Sequence, residues 1–290
     1  MLTFFQIGPL HLAVEVPMEL PWTRECAVFR RAALPAHADP FTYTIAFTDQ
    51  FQPIRGRVVN QGRQMLVMDA EGTECRVHTL PGSGEPFALT RRLDDRHYRI
   101  LIDSRARNAL KWDRNLLGLM ALEHDCIRLD AFLLHASCVI HDGCAVLFCG
   151  PSGQGKSTQA DLWQRHAGAE IVNGDRTLVF SRDGVWYAGG FPVCGSSEHC
   201  LDRTAPLKAL VFLEKAPENQ TQALSPLQAM KRFYSQAFIN RWNSADCAAV
   251  SNMLITLAGS IPTFHYRCTK EADAVTFLRQ SIASFSTESR

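Results

Sequence analysis

The chain has no long uninterrupted apolar run. Glu15, Pro17 and Glu19 break up its first hydrophobic stretch, and the opening Met1-Leu-Thr-Phe-Phe carries no basic segment. Neither a secretory signal nor a membrane-crossing helix is therefore expected, and the cytoplasm is the expected compartment. Charge of one sign is lacking too: 30 Lys and Arg stand against 29 Asp and Glu, a formal net charge of +1. This excludes global attraction to nucleic acid or an anionic membrane, and neither is an expected partner. The local cluster Arg91, Arg92, Arg96 and Arg99 reads as a solvated strand edge. Ten cysteines are present, but no CxxC pair and no cysteine–histidine set at zinc spacing accompanies them. They read as reduced thiols, with Cys144 and Cys149 serving as small core residues. No internal repeat or low-complexity tract appears.

What is there is an ordinary globular composition: 290 residues, 46% hydrophobic and 20% charged, enough for a proper core and for two domains of moderate size. Residues 1–125 read as a mainly β domain, with runs at Phe41 to Phe47, Gln64 to Met68 and Cys75 to Leu80. Asn60-Gln-Gly62, Glu71-Gly72 and Pro81-Gly-Ser-Gly84 supply the turns. This domain offers no constellation of acids, bases or metal ligands, and substrate recognition or packing is its expected duty. A helical pattern over Ala106 to Leu122, with Leu110, Leu116, Leu117 and Met120 on one face and Arg107, Lys111 and Arg114 elsewhere, connects it to the remainder.

Residues 126–290 read as α/β: two strands, a glycine-rich loop, a helix, a returning strand, then further strands and two late amphipathic helices. Ser225 and Pro226 start one helix, whose stripe Leu227, Met230, Tyr234 and Phe238 is expected in the core. Val275, Leu278 and Ile282 mark the other, and Ser284 to Arg290 is expected to fray.

The chemistry is concentrated at Gly150-Pro151-Ser152-Gly153-Gln154-Gly155-Lys156-Ser157, a full GxxxxGK[ST] match followed by Thr158. Cys144 to Cys149 supplies the preceding strand and Ser157 onward the following helix. In such a loop the glycines let backbone amides converge on phosphate oxygens at a helix N-terminus. Lys156 would reach the β and γ phosphates, and Ser157 would offer its hydroxyl to Mg2+. A phosphoryl-transfer site also needs a carboxylate for the metal or the acceptor proton, and Asp175, ending Glu170-Ile-Val-Asn-Gly-Asp175, fills that role on a strand expected to return beside the loop. ATP and Mg2+ are thus the expected cofactors, with Ser157 and Asp175 as metal ligands.

The segment from Leu134-His135-Ala-Ser through Lys156-Ser157 to Asp175 resembles the catalytic domain of the HPr kinase/phosphorylase family, whose fold is shared in part with ATP-dependent phosphoenolpyruvate carboxykinase. The later stretches Trp186 to Gly195, Ala209 to Glu214 and Pro262 to Cys268 look most like HPr-kinase-like proteins associated with peptide modification. The resemblance implies that His135 sits beside the catalytic carboxylate, and that the acceptor is a serine or threonine hydroxyl of a peptide or protein. Two departures stand out. The family has paired aspartates where this chain has Gly174-Asp175, and its arginine-glycine signature is missing, so either Asp175 serves both roles or Asn173 or Glu198 assists. Gly189 to Ser197 reads equally as an acceptor-side loop or a plain turn, and Arg176 and Arg203 either neutralise phosphoryl charge or form surface ion pairs. A small-molecule kinase acting on an amino acid or polyol, and a nucleotide-binding regulatory module without transfer activity, stay open beside the peptide or protein kinase.

Overall fold

The computed structural model describes residues 1–52, 54–111 and 113–288. Backbone contacts divide it into two units, Met1–Asp125 and Cys126–Arg290. The chain is mixed α/β, with two sheets and seven α-helices among the described residues. None of these helices is long and apolar enough to cross a membrane.

The first unit carries strands β1 (Leu2–Ile7), β2 (Leu10–Glu15), β3 (Arg30–Arg31), β4 (Phe41–Thr48), β5 (Arg57–Gln61), β6 (Met65–Ala70), β7 (Thr73–Thr79), β8 (Pro86–Arg92) and β9 (His97–Asp103). They form one sheet in the order β3-β1-β2-β4-β9-β8-β7-β6-β5. The β6–β7 hairpin turns on Glu71 and Gly72, both at positive φ (55° and 78°), with the Gly72 amide donating to Asp69. That double left-handed turn matches strand twist, which is why the Glu-Gly pair is readable in sequence. Besides a four-residue α1 (Arg24–Ala27), the connecting segment becomes a 3₁₀ stretch Ser104–Lys111, then α2 (Asp113–Leu119) and α3 (Leu122–Ile127), where one continuous helix was expected. The break has a local cause: the Ala121 amide donates to the Tyr43 hydroxyl, while the Ala121 carbonyl starts the next turn by accepting from His124 and Asp125. The side chains of Lys111 and Arg114, and residues 289–290, lie outside what is described.

The second unit runs β10 (Ala131–His141), β11 (Cys144–Cys149), α4 (Lys156–Ala167), β12 (Glu170–Asn173), β13 (Arg176–Arg182), β14 (Val185–Gly189), β15 (Thr204–Lys215), β16 (Gln220–Ala223), α5 (Pro226–Gln236), α6 (Ser244–Ser260), β17 (Thr263–Cys268) and α7 (Asp273–Glu288). β11 lies between β10, antiparallel, and β15, parallel, and β17 continues parallel to β15. β12 and β13 both pair antiparallel with β10, so β10 separates the returning strand from β11, the strand that leads into the glycine-rich loop. Alternation along β11 sorts the core. Val146 and Phe148 pack with α4 and α7, while Ala145, Leu147 and Cys149 join the cluster that holds α5 and α6.

Several late features differ from expectation. Ser225 caps α5 in a reciprocal capping box with Gln228, but Leu227 is 64% exposed and Phe238 falls beyond the helix end. Met230 and Tyr234 pack half-buried against the core as expected, beside fully buried Ala229 and Phe233. α6, a third late helix, was not anticipated: its Ala-rich sequence has almost no polar face to create a period. Cys149 is fully buried whereas Cys144 is only half-buried.

Candidate active site around the phosphate loop

β11 delivers the chain into the loop at full burial, and the loop then turns on three glycines at positive φ: Gly150 at 148°, Gly153 at 82° and Gly155 at 99°. An L-residue is strained at each of these angles. Gly155 starts α4, so the loop's last amides and the helix N-terminus face the same space. That space is a cavity of about 320 Å³ whose walls include Ser152, Gly153, Gly155, Lys156, Ser157 and Thr158 from the loop, and His135 and Asp175 from the strands. Gly174, Gly195, Ser197 and Lys215 complete it. Gly150 and Pro151 stand behind the loop and give their carbonyls to Lys156 Nζ, at 2.8 and 3.3 Å. Gln154 lines a neighbouring cavity. A separate cavity of about 400 Å³ near His141, Trp163 and Arg279 contains none of the loop residues.

Asp175 reaches the cavity at a bend between two strands. β12 ends at Asn173 and β13 begins at Arg176, and Gly174 and Asp175 cross between them in unbroken register opposite Ser137 and Ala136. The bend is held by Ala136 N–H to the Asp175 carbonyl (3.0 Å) and Ser137 Oγ to the Gly174 carbonyl (3.0 Å). Buried Asn173 locks it further, its Oδ1 accepting from the amides of Asp175 and Arg176 and its Nδ2 donating to the Phe191 carbonyl at 2.7 Å. Asn173 therefore positions Asp175's backbone and does not itself line the cavity.

His135 sits where β10 changes partners, the last residue paired to β13 before Ala136 pairs with β11. Its Nδ1 is 3.2 Å from Asp175 Oδ1 and its Nε2 is 3.0 Å from Lys156 Nζ. An ammonium can only donate. With Lys156 charged, Nε2 must hold the lone pair and Nδ1–H must donate to Asp175, which fixes the tautomer. The hydrogen bond from His135 is the main reason the Asp175 carboxyl is held below the usual carboxylate range, with Arg176 and Lys156 adding to it against the cost of burial. Burial lowers the Lys156 ammonium, offset in part by Cys149 and Asp175. The thiol of Cys149, immediately before the loop, is pushed up to about 12 by burial. It is a packing residue.

The Gly174 departure has a steric counterpart. A Cβ on Gly174 would lie 1.8 Å from Ser197 Oγ and 2.5 Å from Ser197 Cβ, so Ser197 occupies the space that a side chain at 174 would need. Gly195, at φ 63°, backs onto Asp175, where an added Cβ would be 3.0 Å from the Asp175 Cβ. Both residues belong to the 3₁₀ turn Gly195–Ser197, so Gly189 to Ser197 ends at the cavity. Arg176 stacks on Phe238 (4.5 Å to the ring centroid) with Nε 3.9 Å from Asp175 Oδ2. Arg203 forms an exposed pair with Glu170 at 3.4 Å. Neither arginine, nor Glu198, is among the cavity-lining residues. Lys215 was not anticipated, and Ser197 was anticipated only as the end of the Gly189 to Ser197 loop. Lys215 is the last residue of a strand parallel to β11, and that strand-end position was the one available signal.

Comparison with known proteins places this geometry in context. No curated protein matches the chain. Among the solved structures that match is the HPr(Ser) kinase/phosphatase from Coxiella burnetii, at 12% identity and a TM-score of 0.33, with 53% of this chain and 98% of that chain covered. A protein-family model described as SynChlorMet cassette protein ScmC matches residues 112–273, more than half of the chain, and the chain accordingly belongs to the ScmC family.

Proposed function

We propose that the chain is an ATP- and Mg2+-dependent kinase that moves the γ-phosphoryl group to a hydroxyl, the acceptor being a serine or threonine of a peptide or protein. The observation that carries the reading is the chain of contacts Lys156–His135–Asp175 across one cavity with the glycine loop. Loop amides and Lys156 bind triphosphate oxygens, and Lys156 exchanges its bonds to the Gly150 and Pro151 carbonyls for phosphate as the nucleotide enters. Asp175 is the one carboxylate lining the cavity among the described residues, which makes it the acceptor for the hydroxyl proton. The bond from the γ-phosphorus to the bridging oxygen breaks with its electrons going to ADP, a bond to the acceptor oxygen forms, and the proton passes to Asp175. His135 holds that carboxylate in place through Nδ1–H.

The donor set fits Mg2+. Ser157 and Asp175 line the same cavity, and no cluster of three or more His, Cys, Asp or Glu that could cage a metal occurs among the described residues. An ion that takes most of its oxygens from phosphate and water suits so sparse a set. When bound, it supplies charge neutralisation at the β and γ phosphates.

The peptide or protein acceptor rests on the resemblance to HPr-kinase-like proteins of peptide modification. The test is transfer of labelled γ-phosphate from ATP in a host extract, separated into metabolite, peptide and protein fractions, with wild type compared to Asp175→Asn. Label in peptide or protein that disappears in the variant is the expected result. Asp175-dependent label among metabolites would replace the acceptor by a small molecule. ATP binding without any Asp175-dependent label would leave a regulatory module.

A further inference from the structure

We propose that the second cavity at the loop takes the nucleotide base, and that Gln159 selects a base carrying an exocyclic amine over one carrying a keto oxygen; this rests on reading Gly150–Ser157 as a triphosphate cradle. The cavity, about 380 Å³, is lined by Gly155, Thr158, Gln159, Lys215, Cys268 and Thr269 among others. Gly155, Thr158 and Lys215 also line the cavity that contains His135 and Asp175, so the two spaces adjoin along the start of α4. Asp175 marks the end where the terminal phosphate reacts. The nucleoside must then leave by the other end, past Thr158, into the space beside Gln159.

Gln159 stands on the first turn of α4 and is 2% exposed. Its Nε2 donates to the Thr269 carbonyl at 3.0 Å and its amide also bears on the Cys268 thiol, whereas its Oε1 is buried without a hydrogen-bond partner among the described residues. The reverse amide orientation would set Oε1 against the Thr269 carbonyl, two acceptors in contact, so the free atom is the acceptor. Thr269 is itself fixed, its amide donating to Asn219 Oδ1 at 3.0 Å, the oxygen that also accepts from the Tyr266 hydroxyl at 2.9 Å. The Ala216 amide, donating to the Cys268 carbonyl at 3.0 Å, ties the ends of β15 and β17 together as the cavity wall. A buried acceptor held this rigidly and left unpaired is complementary to a donor from the ligand. The 6-amino group of adenine is such a donor, and the 6-keto oxygen of hypoxanthine or guanine would meet Oε1 acceptor to acceptor.

The experiment is calorimetric titration of the full chain with ATP, inosine triphosphate and inorganic tripolyphosphate, in wild type and Gln159→Met. The first two nucleotides differ in the purine at the amine-to-keto exchange and its ring proton. Wild type should favour ATP by about tenfold, the scale of one good hydrogen bond gained in place of two opposed acceptors. Gln159→Met should bring the ratio close to one while tripolyphosphate binding is unchanged, which also reports that the variant is folded. Equal binding of ATP and inosine triphosphate by wild type, or an unchanged ratio in Gln159→Met, would overturn the base assignment alone. Failure of wild type to bind tripolyphosphate or either nucleotide would overturn the phosphate cradle itself.

Discussion

Replacing Gly174 with alanine should destabilise the second unit by about 1–3 kcal/mol, the usual cost of forcing extra atoms into a filled space. The backbone at Gly174 is not in the left-handed region, so the cost comes from space alone. The new Cβ would sit 1.8 Å from Ser197 Oγ, 2.5 Å from Ser197 Cβ and 3.2 Å from the Cys194 carbonyl. Rotating the serine moves its Oγ but not its Cβ, so relief requires the whole Gly195–Ser197 turn to shift. Ser197→Gly removes both close atoms and loses the Ser197 Oγ bond to the Cys194 carbonyl, which at 2.8 Å contributes roughly 1 kcal/mol, together with the long bond it accepts from the His199 amide at 3.4 Å. A double-mutant cycle in urea separates the two effects. Gly174→Ala should cost its full amount in the wild-type background and close to nothing beside Ser197→Gly, a coupling of about 1–3 kcal/mol. Equal costs in the two backgrounds would show that Ser197 does not fill the space at 174.

Two further predictions concern titration. His135→Phe removes the hydrogen bond that does most to keep Asp175 ionised, so the Asp175 pKa should rise and the acid limb of the kcat/KM profile for phosphoryl transfer should move to higher pH; an unmoved limb would detach His135 from Asp175. In the first unit, burial raises the Asp125 carboxyl to about 7, even though the hydroxyls of Tyr43 and Tyr98 favour its ionised form. A folded pKa above the unfolded value near 4 means the unfolded chain releases its proton first, so stability should fall as pH rises from about 4 to 7 and level off above that. The upper bound for the fall is about 4 kcal/mol. Asp125→Asn should flatten that part of the stability–pH curve, measured by thermal unfolding.

What the sequence makes legible is whatever is encoded over short spans. Cys144 to Cys149, the loop and Lys156 onward read as strand, cradle and helix because a run of small glycines between apolar strand and helix start has few other uses. Asp175 could be picked out as a carboxylate at a strand end, but not the reason it reaches the cavity. That reason is an in-register bend at Gly174-Asp175 secured by adjacent Asn173 and by Ala136 and Ser137, some 40 residues away in sequence, and nothing in their spacing announces the pairing. Lys215 and Gln159 were missed for the same reason, and Ser197 was foreseen only as the end of a candidate loop. Serine, lysine and glutamine are common everywhere, and their placement here follows from strand ends brought together by β10, β11 and β15. α6 escaped because its sequence is apolar nearly all round, and the stripe in α5 holds at Met230 and Tyr234 but not at Leu227, which has helical spacing yet lies on the solvent side.

Under the proposed reading, the single carboxylate faces a conflict that the geometry resolves by sequence of events. A carboxylate held well ionised is a weak base, and His135 holds Asp175 that way. Lys156 Nζ caps His135 Nε2 and fixes Nδ1–H toward Asp175. If Lys156 turns to the phosphates, Nε2 is left open to the acceptor hydroxyl, and the hydroxyl proton can reach Asp175 through the ring, entering at Nε2 as the Nδ1 proton passes to the carboxylate. Binding of triphosphate thereby becomes the condition for proton transfer. A site with no second carboxylate at position 174 gains from such coupling, because Asp175 is free of its lysine-fixed partner only when there is a phosphoryl group to transfer.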